Sequence, residues 1–179
     1  MAPRIPPVER SAATPAQLEV MGDPARQLNV TATIAQHPDL AKAWLPLARH
    51  ILGASTLPPR DREILILRIG WLCQAEYEWG HHAALGRRSG LADDEIRRIA
   101  EGPDAAGWSP HDRALLTAVD ELHRDARVGD ATWSTLAAGY STQQMIDLVF
   151  TVGQYNLVSM ALRSFGVERE PGVEGFPAQ

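Results

Sequence analysis

REILILRIGWLCQAEYEWGHH, residues 62–82, carries the signals of two helices joined by a short break. Pro59, Asp61 and Glu63 supply the early proline and acidic first turn that favour a helix start. Ile64, Leu65, Leu67 and Leu72 then leave the segment apolar on most sides, which predicts a buried helix. Gly70 and Gln74 predict a bend or break. A second helix follows over 76–88 and stops at Ser89 and Gly90, a pair suited to a left-handed cap.

Chemistry concentrates in this hairpin. Glu78 and His82 are four residues apart and share a helix face, so the carboxylate is placed to orient and charge-stabilise the imidazole. Tyr77 and His81 form a parallel pair about 100° further round the helix. Glu63, on the buried helix, needs a proton, an arginine or a hydrogen-bonding partner, because an unpaired buried carboxylate is costly. Plainer readings stand beside these. Glu78 and His82 also fit an exposed ion pair worth a few tenths of a kcal/mol. Tyr77 and Trp79 fit packing, Cys73 fits a small buried hydrophobe, and Glu63 fits a first-turn residue or a partner for Arg68.

Working outward, the pattern is helical almost throughout. Thr14 with Pro15 opens a short helix, Asp23 with Pro24 a second to about His37, and Pro38 a third carrying Leu40, Trp44, Leu47 and Ile51 until Gly53. Beyond the hairpin come a short helix ending at Gly102, a longer one over 111–127 capped by Ser109, a short one over 130–138, and a last one over 142–164 capped by Ser141. No segment alternates apolar and polar residues with period two, so no sheet is expected. The expected fold is all-α, a single helical bundle of about seven helices over 14–167. An extended arm precedes it over 1–13 and a Pro/Gly-rich tail follows over 168–179.

Composition narrows the function. With 179 residues, 45% hydrophobic and 22% charged, the chain has globular make-up and room for one core. A formal net charge of -5 offers no basic stripe for phosphates, so no nucleic-acid partner is expected. Lys42 is the lone lysine against sixteen arginines, which speaks for coding bias rather than activity. The most apolar windows, 64–73 and 145–162, are interrupted by Arg68 and by Asp147 and Gln154, so no bilayer span is expected. The first residues lack the apolar run of a signal peptide, and the expected location is the cytoplasm. The one cysteine excludes a CxxC pair within the chain. Adjacent His81 and His82 diverge on a helix and no third ligand accompanies them, so no metal site is expected.

The string formed by Tyr77, Glu78, Trp79 and His82, with Glu63 fifteen residues before Glu78, resembles the carboxymuconolactone decarboxylase and alkylhydroperoxidase D-like superfamily. The resemblance runs over 28–167 and is strongest in the quoted stretch and in VGQYNLVSMALRSFGVE, residues 152–168. It implies an all-helical subunit assembled as a homotrimer or homohexamer, with sites near subunit contacts. In the thiol peroxidase branch a glutamate and a histidine fall on Glu63 and His82, but the two cysteines fall on Ala75 and Glu78, so the dithiol is absent. Cys73 lies two positions before the first of them. The decarboxylase branch places a glutamate four residues before a histidine, as here, and uses no metal or organic cofactor.

The expected function is therefore a cofactor-independent acid/base enzyme acting on a small carbonyl, lactone or carboxylate substrate. His82 is its proton-transfer group, Glu78 orients it, Glu63 completes a relay or binds a polar group of the substrate, and Tyr77 donates to a developing oxyanion. Trp79, Cys73 and Tyr155 are expected to contact substrate. Two other classes fit the same residues: a thiol peroxidase using Cys73 alone, and a non-catalytic oligomeric binding protein.

Overall fold

A computed structural model describes residues 2–177. Among them are nine α-helices, two single-turn 3₁₀ helices and no strand, so the all-α expectation holds with two more helices than expected. Helices α1 (Pro15–Met21), α2 (Asn29–Ile34) and α3 (Pro38–Gly53) form an N-terminal layer. Next come α4 (Pro59–Leu72), α5 (Glu76–Arg88), α6 (Asp93–Glu101), α7 (Pro110–Asp125), α8 (Asp130–Ala137) and α9 (Thr142–Phe165).

The quoted hairpin is the centre of the molecule. Helix α4 is buried on every side from Glu63 to Gly70, and it packs against α5, α6, α7 and α9. Its apolar residues join Trp79, Leu115, Leu116, Leu136 and Leu148 in one core, and removing such surface from water is the main stabilising term. The break before α5 falls at Gln74, whose φ of 56° is left-handed. Gly70 does not cause it. That glycine stays helical, and a Cβ there would lie 3.3 Å from Glu78 Oε1, so its bare backbone makes room for a buried side chain.

Local signals explain most boundaries. Thr14 and Ser141 accept from the backbone N–H of Gln17 and Gln144 and form capping boxes with them, and Ser109 accepts from Asp112 N–H. The segment expected as one helix from Asp23 to His37 is instead a 3₁₀ turn over Pro24–Arg26 followed by the short α2. The reason is tertiary: Glu170 Oε1, far along the chain, accepts from Asn29 N–H at 2.6 Å and starts α2 there.

Helix α9 departs from the expectation of no span. It is long and apolar enough to cross a membrane by length and composition alone, yet 56% of its most apolar window is buried inside the fold. Both ends of the described segment lie on this bundle. Arg4 and Ile5 N–H donate to Phe165 O, and the C-terminal segment crosses α5 so closely that a Cβ on Gly80 would clash with Glu174 O. Phe176 then meets Trp71 edge-on at 5.0 Å between ring centroids and lies tilted against Trp79 at 5.7 Å.

Candidate active site

Helices α2, α3, α5 and α9 enclose a pocket of about 380 Å³, lined mainly by Val30, Trp44, Leu45, Leu52, Tyr155, Val158 and Leu162. That volume lies in the range of small-molecule sites. Glu78 and His82 reach it from α5. Behind His82 lies Glu63, fully buried, whose Oε2 is 2.7 Å from His82 Nδ1. Its other oxygen, Oε1, accepts from Arg62 Nε and Nη2, each at 3.1 Å. Burial alone would raise the Glu63 pKa, but the His82 and Arg62 contacts outweigh it and hold the carboxyl below its ordinary value. Glu63 is therefore ionised at neutral pH and accepts the Nδ1 proton. That commits Nδ1 to Glu63 and leaves Nε2 of His82 as the nitrogen available for proton transfer.

Glu78 is also buried, and its surroundings act the other way. Its Oε2 accepts from Ser159 Oγ at 3.1 Å, while Oε1 has no partner among the described residues. Burial pushes its carboxyl well above the ordinary value, only partly offset by Ser159. The shared helix face expected for Glu78 and His82 is there, but the orienting hydrogen bond is not. The carboxyl of Glu78 turns toward Gly70 and Ser159, and the partner of His82 comes from the neighbouring helix. Arg68 is not the partner of Glu63 either: it pairs with Asp120 and donates to the carbonyls of Ile99 and Ala100.

Tyr77 borders the pocket, but its hydroxyl is engaged. It accepts from Val30 N–H at 3.3 Å and donates to Glu170 Oε1 at 2.8 Å, so the expected oxyanion donor is committed elsewhere. Glu170 also meets His81 Nε2 at 2.5 Å. Tyr155, by contrast, lies edge-on to the His82 ring at 4.8 Å and lines the pocket. Burial first, then the charges of Glu78 and Glu63, push its hydroxyl well above the ordinary range, so it stays a proton donor.

Two expected contact residues sit elsewhere. Trp79 is in the core against Trp71 and Phe176. Cys73 closes α4 on another surface, beside Arg163 and His123, and its Sγ donates to Asn156 Oδ1. Burial and the nearby Glu78 raise its thiol pKa, against smaller opposing effects of Ser159 and Arg163. That is the reverse of an activated thiolate. Sequence reasoning missed Arg62, Ser159 and Glu170 as partners. Only Arg62 had a sequence cue, since it adjoins Glu63.

Among the described residues no group of three or more His, Cys, Asp or Glu side chains is placed to hold a metal ion. The fold and the pocket define an all-helical protein with a carboxylate-held histidine beneath an apolar cavity. The profile of the carboxymuconolactone decarboxylase family matches residues 38–121, under half of the chain, and that span contains Glu63, Glu78 and His82. That span is similar to the family, and the likeness of the whole chain to solved structures is one of fold.

Solved structures agree in fold. An uncharacterised peroxidase-related protein of Ralstonia eutropha with an alkylhydroperoxidase core superposes with a TM-score of 0.80 at 20% identity, covering 94% of this chain and 93% of its own. The debrominase Bmp8 bound to 2,3,4-tribromopyrrole gives 0.78 at 18% identity, covering 96% and 94%. A putative antioxidant defence protein of Agrobacterium tumefaciens gives 0.70 at 20% identity, covering 76% and 94%. No curated protein matches the sequence.

Proposed function

We propose that this chain is an acid/base enzyme that moves a proton at carbon on a small carbonyl or lactone substrate, decarboxylation being the reaction best suited to the site. The observation that carries the reading is the 2.7 Å contact between buried Glu63 and His82 under an apolar pocket. In a β-oxo acid the bond to the carboxylate breaks, carbon dioxide leaves, and the electron pair passes into an enolate. Protonated His82 then delivers its Nε2 proton to carbon, and solvent restores it. Glu63 stabilises the imidazolium during the cycle, and Tyr155 O–H donates to the enolate oxygen in place of the committed Tyr77. A positioned acid or base contributes about 10²- to 10⁴-fold.

The peroxidase reading draws no support from Cys73, which lies outside this pocket with a raised thiol pKa. A panel of β-oxo acids and unsaturated lactones, followed for carbon dioxide release or isomerisation, tests the proposal. Turnover that survives Cys73→Ser is expected. Peroxide consumption that requires Cys73, with no turnover on the panel, would replace this reading with the thiol one.

A further inference from the structure

Two residues lining the pocket carry a buried N–H donor with no partner among the described residues. Gln154, on α9, is only 6% exposed, and its Nε2 makes no hydrogen bond among the described residues. Trp44, on α3, has a buried Nε1 in the same condition. Both residues line the pocket, and α3 and α9 pack against each other. An orphaned buried donor is destabilising. An indole N–H only donates, so its partner must be an acceptor. Further out, Arg49 is the one arginine lining the pocket and is exposed at its mouth. Of the carboxyl groups deeper in, Glu63 is held by His82 and Arg62, while Glu78 accepts from Ser159 at Oε2 and has no partner at Oε1 among the described residues.

We infer that Trp44 and Gln154 are the substrate-recognition residues of this pocket: together with Tyr155 O–H they take the carbonyl oxygen of a compact oxo acid by its edge, while Arg49 takes the carboxylate at the far end. The ligand so defined has an apolar body, one acceptor oxygen inside and one anionic group at the mouth. This assignment rests on the acid/base reading for which pocket is the site, but it concerns binding and not the proton transfer.

Equilibrium binding tests it, followed by ligand-observed NMR at millimolar concentrations, which reads affinity without any chemical step. The probes are benzoylpropanoate, its methyl ester, and phenylbutanoate, which lacks the oxo group. Benzoylpropanoate should bind, with each of the other two about tenfold weaker, the worth of one good hydrogen bond or ion contact. Gln154→Leu or Trp44→Phe should weaken benzoylpropanoate about tenfold but leave phenylbutanoate unchanged. Arg49→Gln should weaken both acids and leave the ester unchanged. The thermal stability of Gln154→Leu should hold or rise, since an orphaned amide is removed, and this separates lost recognition from lost folding.

Equal binding of benzoylpropanoate and phenylbutanoate, no binding by any probe, or affinities untouched by the Gln154 and Trp44 variants would overturn the inference. The predicted affinities together with an enzyme that moves no proton would remove the acid/base reading and leave the recognition residues standing. Turnover with affinities indifferent to those variants would do the reverse.

Discussion

Glu63 and Glu78 are buried glutamates beside one histidine, and their surroundings push them in opposite directions. Glu63, with a folded pKa below its ordinary value, adds stability that is present above the usual glutamate range and fades as pH falls through the lowered value. Glu78, with a raised pKa, keeps a proton that the unfolded chain releases, so stability declines as pH rises from about 4.3 toward the raised value. Thermal melts across a pH series should therefore show Glu63→Gln destabilised by about 2 kcal/mol near neutrality, the scale of a hydrogen bond to a charged group, with the gap closing in acid. Glu78→Gln should gain on the parent as pH rises. Parallel curves for parent and variants would contradict both charge assignments. The sequence made each of these residues a candidate, because carboxylates inside apolar helices are conspicuous. It did not disclose the pairing: helical spacing joined Glu78 to His82, whereas the bond that forms spans nineteen residues and two helices and depends on how α4 and α5 meet.

Among elements, the short α2 shows most clearly where local reading stops. Six residues do not sustain a helix unaided, and α2 is held from outside through Glu170, which accepts from Asn29 N–H and Tyr77 O–H and contacts His81. The caps at Thr14, Ser109 and Ser141 were readable because each bond closes within three residues. The Glu170 cap spans 141, and no periodicity reports it. Because α2 supplies one wall of the pocket, Glu170→Ala is expected to cost roughly 3 kcal/mol and to speed hydrogen exchange in residues 29–34 and 168–177 while α4 stays protected. Unchanged exchange in both segments would show that Glu170 does not hold them.

For the whole molecule, burial of α4 leaves the central helix no free apolar face, so the expected self-association must use another surface. Ile146, Phe150, Leu157 and Met160 on α9 are each about half exposed and recur every three to four residues or multiples of them, forming one stripe. Phe150→Glu should convert an oligomer to monomers in light scattering after size exclusion, and a parent that is already monomeric at micromolar concentration would refute the role of the stripe. The central claim, that Glu63-held His82 moves the proton, has a more direct test. Solvent deuterium incorporation at carbon, on a substrate the parent turns over, is compared for His82→Asn and Cys73→Ser. Asparagine retains a donor near the Nδ1 position, so Glu63 stays partnered, while the proton-transfer nitrogen is lost. A fall of about 10²-fold or more is expected for His82→Asn, with near-parent rates for Cys73→Ser. Near-parent incorporation by His82→Asn beside an inactive Cys73→Ser would contradict the claim.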